Sequence, residues 1–215
     1  MKEGAGNMEC KLEIRLEEQG KELHVDPRHM EYIQNSLEKL KAHHLPTYEH
    51  SIRVGLKAVE IAEFMHLGPR PAFYGVLHDL GKAQIPLEVL AKTKGFDAHD
   101  MDVMKNHVQY GYECLLNNRY IFSAWLALQH HLYQKNNYPK ELPQKPSIFS
   151  ERTKLLIDIY SRIIAIADQN DALKRPNDRY GTAEMKAAHA QEIMLASNPD
   201  QQTLIKDLYQ TGILS

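Results

Sequence analysis

The chain has 215 residues, 43% hydrophobic and 25% charged, with a formal net charge of -2, a length that suits one substantial domain because dividing it would leave two small cores. The near-neutral balance, with no basic run carrying interleaved aromatics, argues against binding a nucleic-acid polymer through its phosphates. Two distant cysteines, Cys10 and Cys114, argue against a disulfide framework or thiolate zinc site and fit a reducing cytoplasm.

Residues 1–25 read as a loose tail followed by a small β-hairpin or extended appendage. The segment MKEGAGNMEC lacks the apolar core of a secretory signal. Leu12, Ile14 and Leu16 then alternate with Lys11, Glu13, Arg15 and Glu17, Gln19-Gly20 makes a turn, and Leu23 and Val25 return. A frayed helix start is the alternative. From 26 to 215 the helical period dominates, which predicts one all-α domain. Asp26-Pro27 caps a helix bearing Met30, Ile33, Leu37 and Leu40 on one stripe. Pro46-Thr47 opens a second, with Ile52, Leu56, Val59, Ala62 and Phe64 inward, ending at Gly68-Pro69. A third is predicted from about Arg70 to Leu80, a longer one from Asp97 to Leu116, and another from Ile121 to Leu132. Tyr133 to Ser147 is polar and holds three prolines, so it reads as a long loop of the kind that is functional or disordered. Ser150 or Glu151 caps TKLLIDIYSRIIAIADQNDAL, and two amphipathic helices follow, about Thr182 to Leu195 and Pro199 to Tyr209. No segment approaches the roughly 20 apolar residues of a membrane span.

Histidine is over-supplied, at 12. Five of the 12 stand on or at the end of apolar helical stretches: His50, His78 in LHDLGK, His107 in MKNHVQYGYECLL, and His130-His131 after AWLALQ. Asp79 follows His78, and Asp168 ends RIIAIAD. Each apolar helix would bring its ligand into a low-dielectric interior, where an isolated charge is costly and a divalent cation removes that cost. Five imidazoles and two carboxylates suit iron, manganese, zinc, cobalt or nickel better than calcium or magnesium. Taken singly, each residue has a plainer reading. His107 fits a hydrogen-bonded core histidine, His130-His131 a helix end favouring positive charge, Asp168 a carboxylate paired with Arg162 or Arg175, and Lys82 a solvated lysine. The remaining histidines read as surface or structural.

In order, the pieces are His50-Ser51-Ile52-Arg53-Val54, LHDLGKAQIP, Asn106-His107-Val108-Gln109-Tyr110-Gly111, HHLYQKNNYP, and IADQNDAL with Arg175-Pro176. Over about Thr47 to Tyr180 this resembles the HD superfamily of metal-dependent phosphohydrolases, and more narrowly the HD-GYP subgroup of cyclic-dinucleotide phosphodiesterases. The resemblance implies an HD-domain helical bundle over 26–215 with a binuclear centre. His50, His78, Asp79 and Asp168 would hold one divalent transition metal and His107, His130 and His131 the other, with Asp79 bridging. Iron or manganese leads, with zinc, nickel and cobalt as alternatives. Lys82 matches the family lysine that contacts the scissile phosphate, Arg175 a phosphate-binding arginine, and Tyr138 the tyrosine of the subgroup's signature. Leu132 stands where the subgroup has glutamate and Asn137 where it has glycine. Pro46 occupies the position of a glutamate that serves a third metal in some members, so two metals are expected.

The resemblance implies a phosphoester hydrolase acting on a small phosphorylated nucleotide, with cyclic di-GMP the leading substrate type. Asp79 and Lys82 are the catalytic candidates, and Lys82, Tyr138 and Arg175 the substrate-binding ones. Two other readings stay open: a nucleotide or nucleoside-phosphate hydrolase of the wider superfamily, and a metal- or nucleotide-binding sensor module with weak turnover. The expected setting is cytoplasmic, without membrane or nucleic-acid partners, and with room for a homodimer or a separate sensory partner.

Overall fold

The computed structural model describes residues 2–134, 136–174 and 187–214, with side chains over 9–134, 136–174 and 188–214. Among the described residues the chain forms eleven α-helices and no strand. They are α1 (Lys2–Glu22), α2 (Pro27–His43), α3 (Leu45–Phe64), α4 (Pro69–Phe73), α5 (Leu87–Leu90), α6 (Ala98–Lys105), α7 (His107–Asn117), α8 (Ile121–Gln129), α9 (Glu151–Leu173), α10 (Ala187–Ser197) and α11 (Gln202–Gln210). Two 3-10 turns, Tyr74–Leu77 and Leu80–Gln84, lie between α4 and α5. The predicted start of the penultimate helix at Thr182 falls outside the described residues. No described helix is long and apolar enough to cross a membrane.

The chain's two most buried long helices, α3 and α9, pack against each other at the centre. On α3, Ile52, Val54, Leu56, Ala58, Val59, Ile61 and Ala62 are buried, and on α9 Ile157, Tyr160, Ile163, Ile164, Ile166 and Ala167 are. Helices α1 and α2 lie against α3, α8 lies against α9 with α7 beside it, and α10 and α11 close on the far end of α9. Asp26 caps α2 by accepting from the backbone of Arg28 at 2.9 Å and His29 at 3.4 Å, which satisfies donors that a helix start leaves open. Arg162 ties the C-terminal pair to α9, donating to Asp200 at 2.7 Å and Asn198 at 2.9 Å.

The N-terminal segment is a helix, not a hairpin. The alternation Leu12, Ile14, Leu16 also contains an i, i+4 pair, and the helical solution uses that pair. Leu12 and Leu16 are buried while Ile14 is 49% exposed. Glu13 accepts from Lys41 and from the Tyr48 hydroxyl, both at 2.9 Å. An isolated two-stranded hairpin would have no third strand to support it, whereas a helix can bury one stripe on α3.

The other differences are breaks. The helix expected from Arg70 to Leu80 is α4 followed by two 3-10 turns, and the one expected from Asp97 to Leu116 divides at Asn106 into α6 and α7. The helix expected to reach Leu132 stops at Gln129. Two glycines make the first break possible. A Cβ on Gly55 of α3 would fall 2.2 Å from the side chain of Val76 and 2.7 Å from its backbone nitrogen. A Cβ on Gly81 would fall 1.9 Å from the carbonyl oxygen of His107 and 2.4 Å from the nitrogen of Gly111. The 3-10 turns are therefore pressed directly onto α3 on one side and α7 on the other.

Candidate metal centre

All seven ligand candidates are buried and meet between α3, α9, the 3-10 turns and the α7–α8 pair. His50 comes from α3 and Asp168 from the last turns of α9. His78 and Asp79 lie between the two 3-10 turns, where Asp79 adopts φ -100° and ψ 11°, a sparsely populated conformation common at active sites. On an unbroken α-helix two consecutive side chains diverge by about 100°, so the break lets both neighbours face one point. His107 opens α7 after the break at Asn106, and His130-His131 follow the last residue of α8.

Asp79 is the hub. Its Oδ2 lies 3.4 Å from Nε2 of His50 and 3.4 Å from Nε2 of His78. Its Oδ1 lies 3.3 Å from Nε2 of His107 and 3.8 Å from Nε2 of His130. One oxygen thus faces each of two groups. In the group of His50, His78 and Asp79, and in that of His107, His130 and His131, the donor atoms lie within 4.8 Å of one another. Asp168 adds a carboxylate to the first, with Oδ1 3.1 Å from Nε2 of His50.

The opposite edges of the rings fix the tautomers. Nδ1 of His78 lies 2.9 Å from the carbonyl of Gly75, that of His107 2.7 Å from Met104, and that of His130 2.7 Å from Ala127. A carbonyl only accepts, so each Nδ1 carries the proton and each Nε2 turns a lone pair inward. The acceptors are all backbone carbonyls three residues upstream, at the ends of their helical turns. His50 is anchored differently: its Nδ1 donates to Oδ2 of Asp171 at 2.7 Å. Arg53 grips that carboxylate with two bonds, 2.7 and 3.1 Å.

The electrostatics keep His107, His130 and His131 neutral and Asp79 and Asp168 ionised. Burial pushes His107 down to about 3 and His131 to about 4, in each case against the pull of a neighbouring carboxylate. Burial, and then His131 beside it, holds His130 well below the usual imidazole range. Burial drives the Asp79 carboxyl up, but the Lys82 ammonium and then His78 outweigh it, so Asp79 sits well below the usual carboxylate range. Asp168 is also lowered, burial being overcome first by its bond to His50.

The residues fit a metal. Buried donors with lone pairs facing inward go unmet: among the described residues Nε2 of His78, Oδ1 of Asp79 and Nδ1 of His131 have no hydrogen-bond partner. Such atoms are costly to bury unless something accepts their electrons. Nε2 of His107 and Nε2 of His130 face each other at 3.4 Å with both Nδ1 positions already protonated, an arrangement that a cation between lone pairs would relieve. Imidazole and carboxylate donors without a thiolate suit first-row transition ions.

Lys82 reaches the hub, with Nζ 2.5 Å from Oδ2 of Asp79. Tyr138 lies at the other end, its ring 4.5 Å from that of His131 and 6.0 Å from that of His107. Arg175 lies outside the described residues. Arg162 pairs with Asp200 rather than Asp168. Asp171 and Arg53 escaped the sequence reading, although the signal was there: Arg53 follows His50 by three, as Asp171 follows Asp168. Two of the other histidines have structural work: His43 bonds the carbonyl of Ile85 at 2.8 Å and His44 the Thr47 hydroxyl at 2.7 Å.

The sequence profile of the HD domain family matches residues 47–173, a span that runs from the first turn of α3 to the end of α9 and holds all seven ligand candidates. The cyclic di-GMP phosphodiesterase response regulator RpfG of Xanthomonas campestris pv. campestris is 40% identical over 101 residues, covering 45% of this chain and 24% of that protein. A cyclic di-GMP phosphodiesterase of Thermotoga maritima is 30% identical over 142 residues, 61% of this chain and 36% of that one. The chain thus spans about a quarter to a third of the length of these relatives. Among solved structures, the HD domain of the L. monocytogenes phosphodiesterase PgpH superimposes with a TM-score of 0.54 at 23% identity, over 82% of this chain and 85% of that one. The same domain in complex with cyclic-di-AMP gives 0.52 at 21% identity, over 84% and 85% of the two chains. These two likenesses support the fold.

Proposed function

The chain belongs to the HD domain family, and from that premise we propose that it is a metal-dependent phosphodiesterase whose substrate is a cyclic dinucleotide of the cyclic di-GMP type. The observation that carries this reading is the division of Asp79, one oxygen toward His50 and His78 and the other toward His107 and His130. A carboxylate so placed can join two ions a few ångströms apart, as two-metal phosphoryl transfer requires. On this reading His50, His78, Asp79 and Asp168 hold one ion, and His107, His130 and His131 with Asp79 hold the other. Manganese or iron leads the candidates. Such ions, when bound, supply Lewis acidity to the phosphoryl oxygens and acidify water at neutral pH.

The chain's own residues do the rest. Asp79, held ionised, orients the nucleophile and can accept its proton. Lys82 is close enough to Asp79 to offer its ammonium to the charge that grows on the phosphoryl group and leaving oxygen. Leu77 and Leu80, which flank His78 and Asp79 in the chain, are buried, as are the ligand candidates themselves, and a dry setting strengthens each of these interactions. Tyr138 stands on the rim of the His131 end, where its ring can stack on a base, and Arg175 is assigned to a substrate phosphate. The names of the relatives support the substrate class: two are cyclic di-GMP phosphodiesterases and the solved HD domain was captured with cyclic-di-AMP.

The test is to load the protein with Mn2+ or Fe2+ and assay cyclic di-GMP, cyclic-di-AMP, a chromogenic bis-phosphoester and a panel of nucleotides. Hydrolysis of a cyclic dinucleotide is expected. Metal uptake without turnover of any of them overturns the enzyme reading, and a preference for monoesters moves it to nucleotide hydrolysis.

A further inference from the structure

We propose that Asp171, fixed by Arg53, is a positioning residue for His50 that makes the His50 end the tighter of the two metal positions, so that the ions load in a set order. The inference rests on the two-ion reading above and adds to it an asymmetry built into the helices.

The anchoring bonds differ in kind. His78, His107 and His130 each donate Nδ1–H to a neutral backbone carbonyl. His50 donates to a carboxylate at 2.7 Å. A carboxylate behind an imidazole holds the ring in one tautomer and makes the opposite nitrogen a stronger donor to a cation. Arg53 locks that carboxylate with a bidentate grip, which is geometrically specific as well as strong. The four residues form a closed unit: His50 and Arg53 are one turn apart on α3, Asp168 and Asp171 one turn apart on α9, and the two helices pack together. His50 bridges both acids, with Asp168 3.1 Å from Nε2 and Asp171 2.7 Å from Nδ1.

Charge points the same way. Asp79 is shared by both ends, and Asp168, 3.1 Å from Nε2 of His50, also pulls on His131. The His50 end has Asp171 behind its ring as well, whereas the His107 end is built of three imidazoles beside Oδ1 of Asp79. A divalent cation therefore meets more negative charge, held by longer and more buried helices, at the His50 end.

The experiment is a Co2+ titration of the metal-free protein, followed by visible absorption and by bound stoichiometry. Wild type should take up two ions in two steps. Asp171→Asn keeps the shape and an oxygen acceptor for Nδ1–H but drops the charge, so a purely structural role would leave the steps unmoved. It should weaken the first step by about 10–100-fold and alter the first-step spectrum, with the second step within about twofold. Arg53→Gln should move the first step in the same direction by less, and His131→Ala should remove the second step only. Asp171 and Arg53 border an open cleft of about 480 Å3 lined also by Pro46, Glu49 and Lys174, so Asp171→Asn and Arg53→Gln open onto solvent and should fold, and far-UV circular dichroism checks the fold of all three variants. An unchanged first step in Asp171→Asn, equal weakening of both steps, or loss of the first step in His131→Ala overturns the proposal. Two-step uptake with any of these outcomes overturns the ordering alone, whereas wild type that binds no Co2+ overturns the metal reading with it.

Discussion

The two ends of the centre are built by opposite means. The His50 end hangs on α3 and α9, long helices that run through the middle of the core, and it is rich in carboxylate. The His107 end hangs on the first residue of α7 and the two residues after α8, and two of its imidazoles, His107 and His130, are anchored by backbone carbonyls. One end is held by ionic bonds between side chains far apart in sequence, the other by local backbone geometry. The first should therefore be sensitive to charge and the second to backbone position.

Asp79 belongs to both ends, and replacing it should have the largest effect. Asp79→Asn keeps the volume but removes the carboxylate whose Oδ1 faces His107 and His130. The expected outcome is a fall in kcat of at least about a thousandfold, the scale on which single electrostatic groups act in such sites, together with bound Mn2+ dropping to one ion or fewer by elemental analysis. If Asp79→Asn still binds two ions at wild-type affinity, the ends are independent and the hub is not a hub.

Gly81 tests the backbone half of the comparison. The Cβ of Gly81→Ala would collide with the backbone of His107 and Gly111, and backbone cannot swing aside as a side chain can. Overpacking of this kind costs about 3 kcal/mol or more, which for a chain of this size lowers Tm by about 10 °C. The strain falls at the His107 end, so second-ion binding should suffer more than first-ion binding. Thermal unfolding and the Co2+ titration read the two effects separately. A Tm within about 2 °C of wild type would mean that the 3-10 turn and α7 are not pressed together.

These same features explain what was legible beforehand. The seven ligand types announced themselves because imidazole and carboxylate sat on apolar stripes where such groups are expensive. The bundle followed from helical periodicity, since Ile33, Leu37 and Leu40 or Ile163, Ile164 and Ile166 admit no other reading. Periodicity could not reveal the breaks at His78-Asp79, at Asn106 and after Gln129, because apolar spacing continues through them. The cause of one of those breaks lies in Gly81 meeting His107, a contact between distant segments. Asp171 stayed hidden for the same reason: its partner Arg53 is 118 residues away. The appendage misled because Leu12, Ile14 and Leu16 satisfy both a strand and a helix, and the choice lies in α3.

pH should separate the ends in the metal-free protein. The folded state holds His107 near 3 and His131 near 4, against an ordinary value of 6.5. Above 6.5 both folded and unfolded chains are neutral at these rings and the full stability is present. Below 6.5 the unfolded chain takes up protons that the native state refuses until far lower pH, so stability is lost progressively as pH falls toward 3 or 4. Urea titrations of chelator-treated protein between pH 7 and 4.5 should show midpoints falling with acidity. His107→Leu should show a shallower fall, since it removes one of the groups responsible. An unchanged slope in that variant would place the acid sensitivity elsewhere.

Tyr138 gives the smallest effect and the most specific. Its ring packs on His131 and against the apolar cluster of Val108, Trp125, Leu128 and Ile157, so it is attached to the His107 end. If that end is also where a base of the substrate rests, Tyr138→Ala should raise KM for a cyclic dinucleotide about tenfold, within the 1–3 kcal/mol that stacking on an aromatic contributes. Tyr138→Phe should leave KM nearly unchanged, and in both variants the two Co2+ steps should keep their wild-type affinities. A fall in kcat with loss of the second ion would assign Tyr138 to holding His131. An unchanged KM in Tyr138→Ala would move the substrate to the other side of Asp79, toward Arg53 and Lys174, and would make the carboxylate-rich end the one that meets both the first ion and the nucleotide.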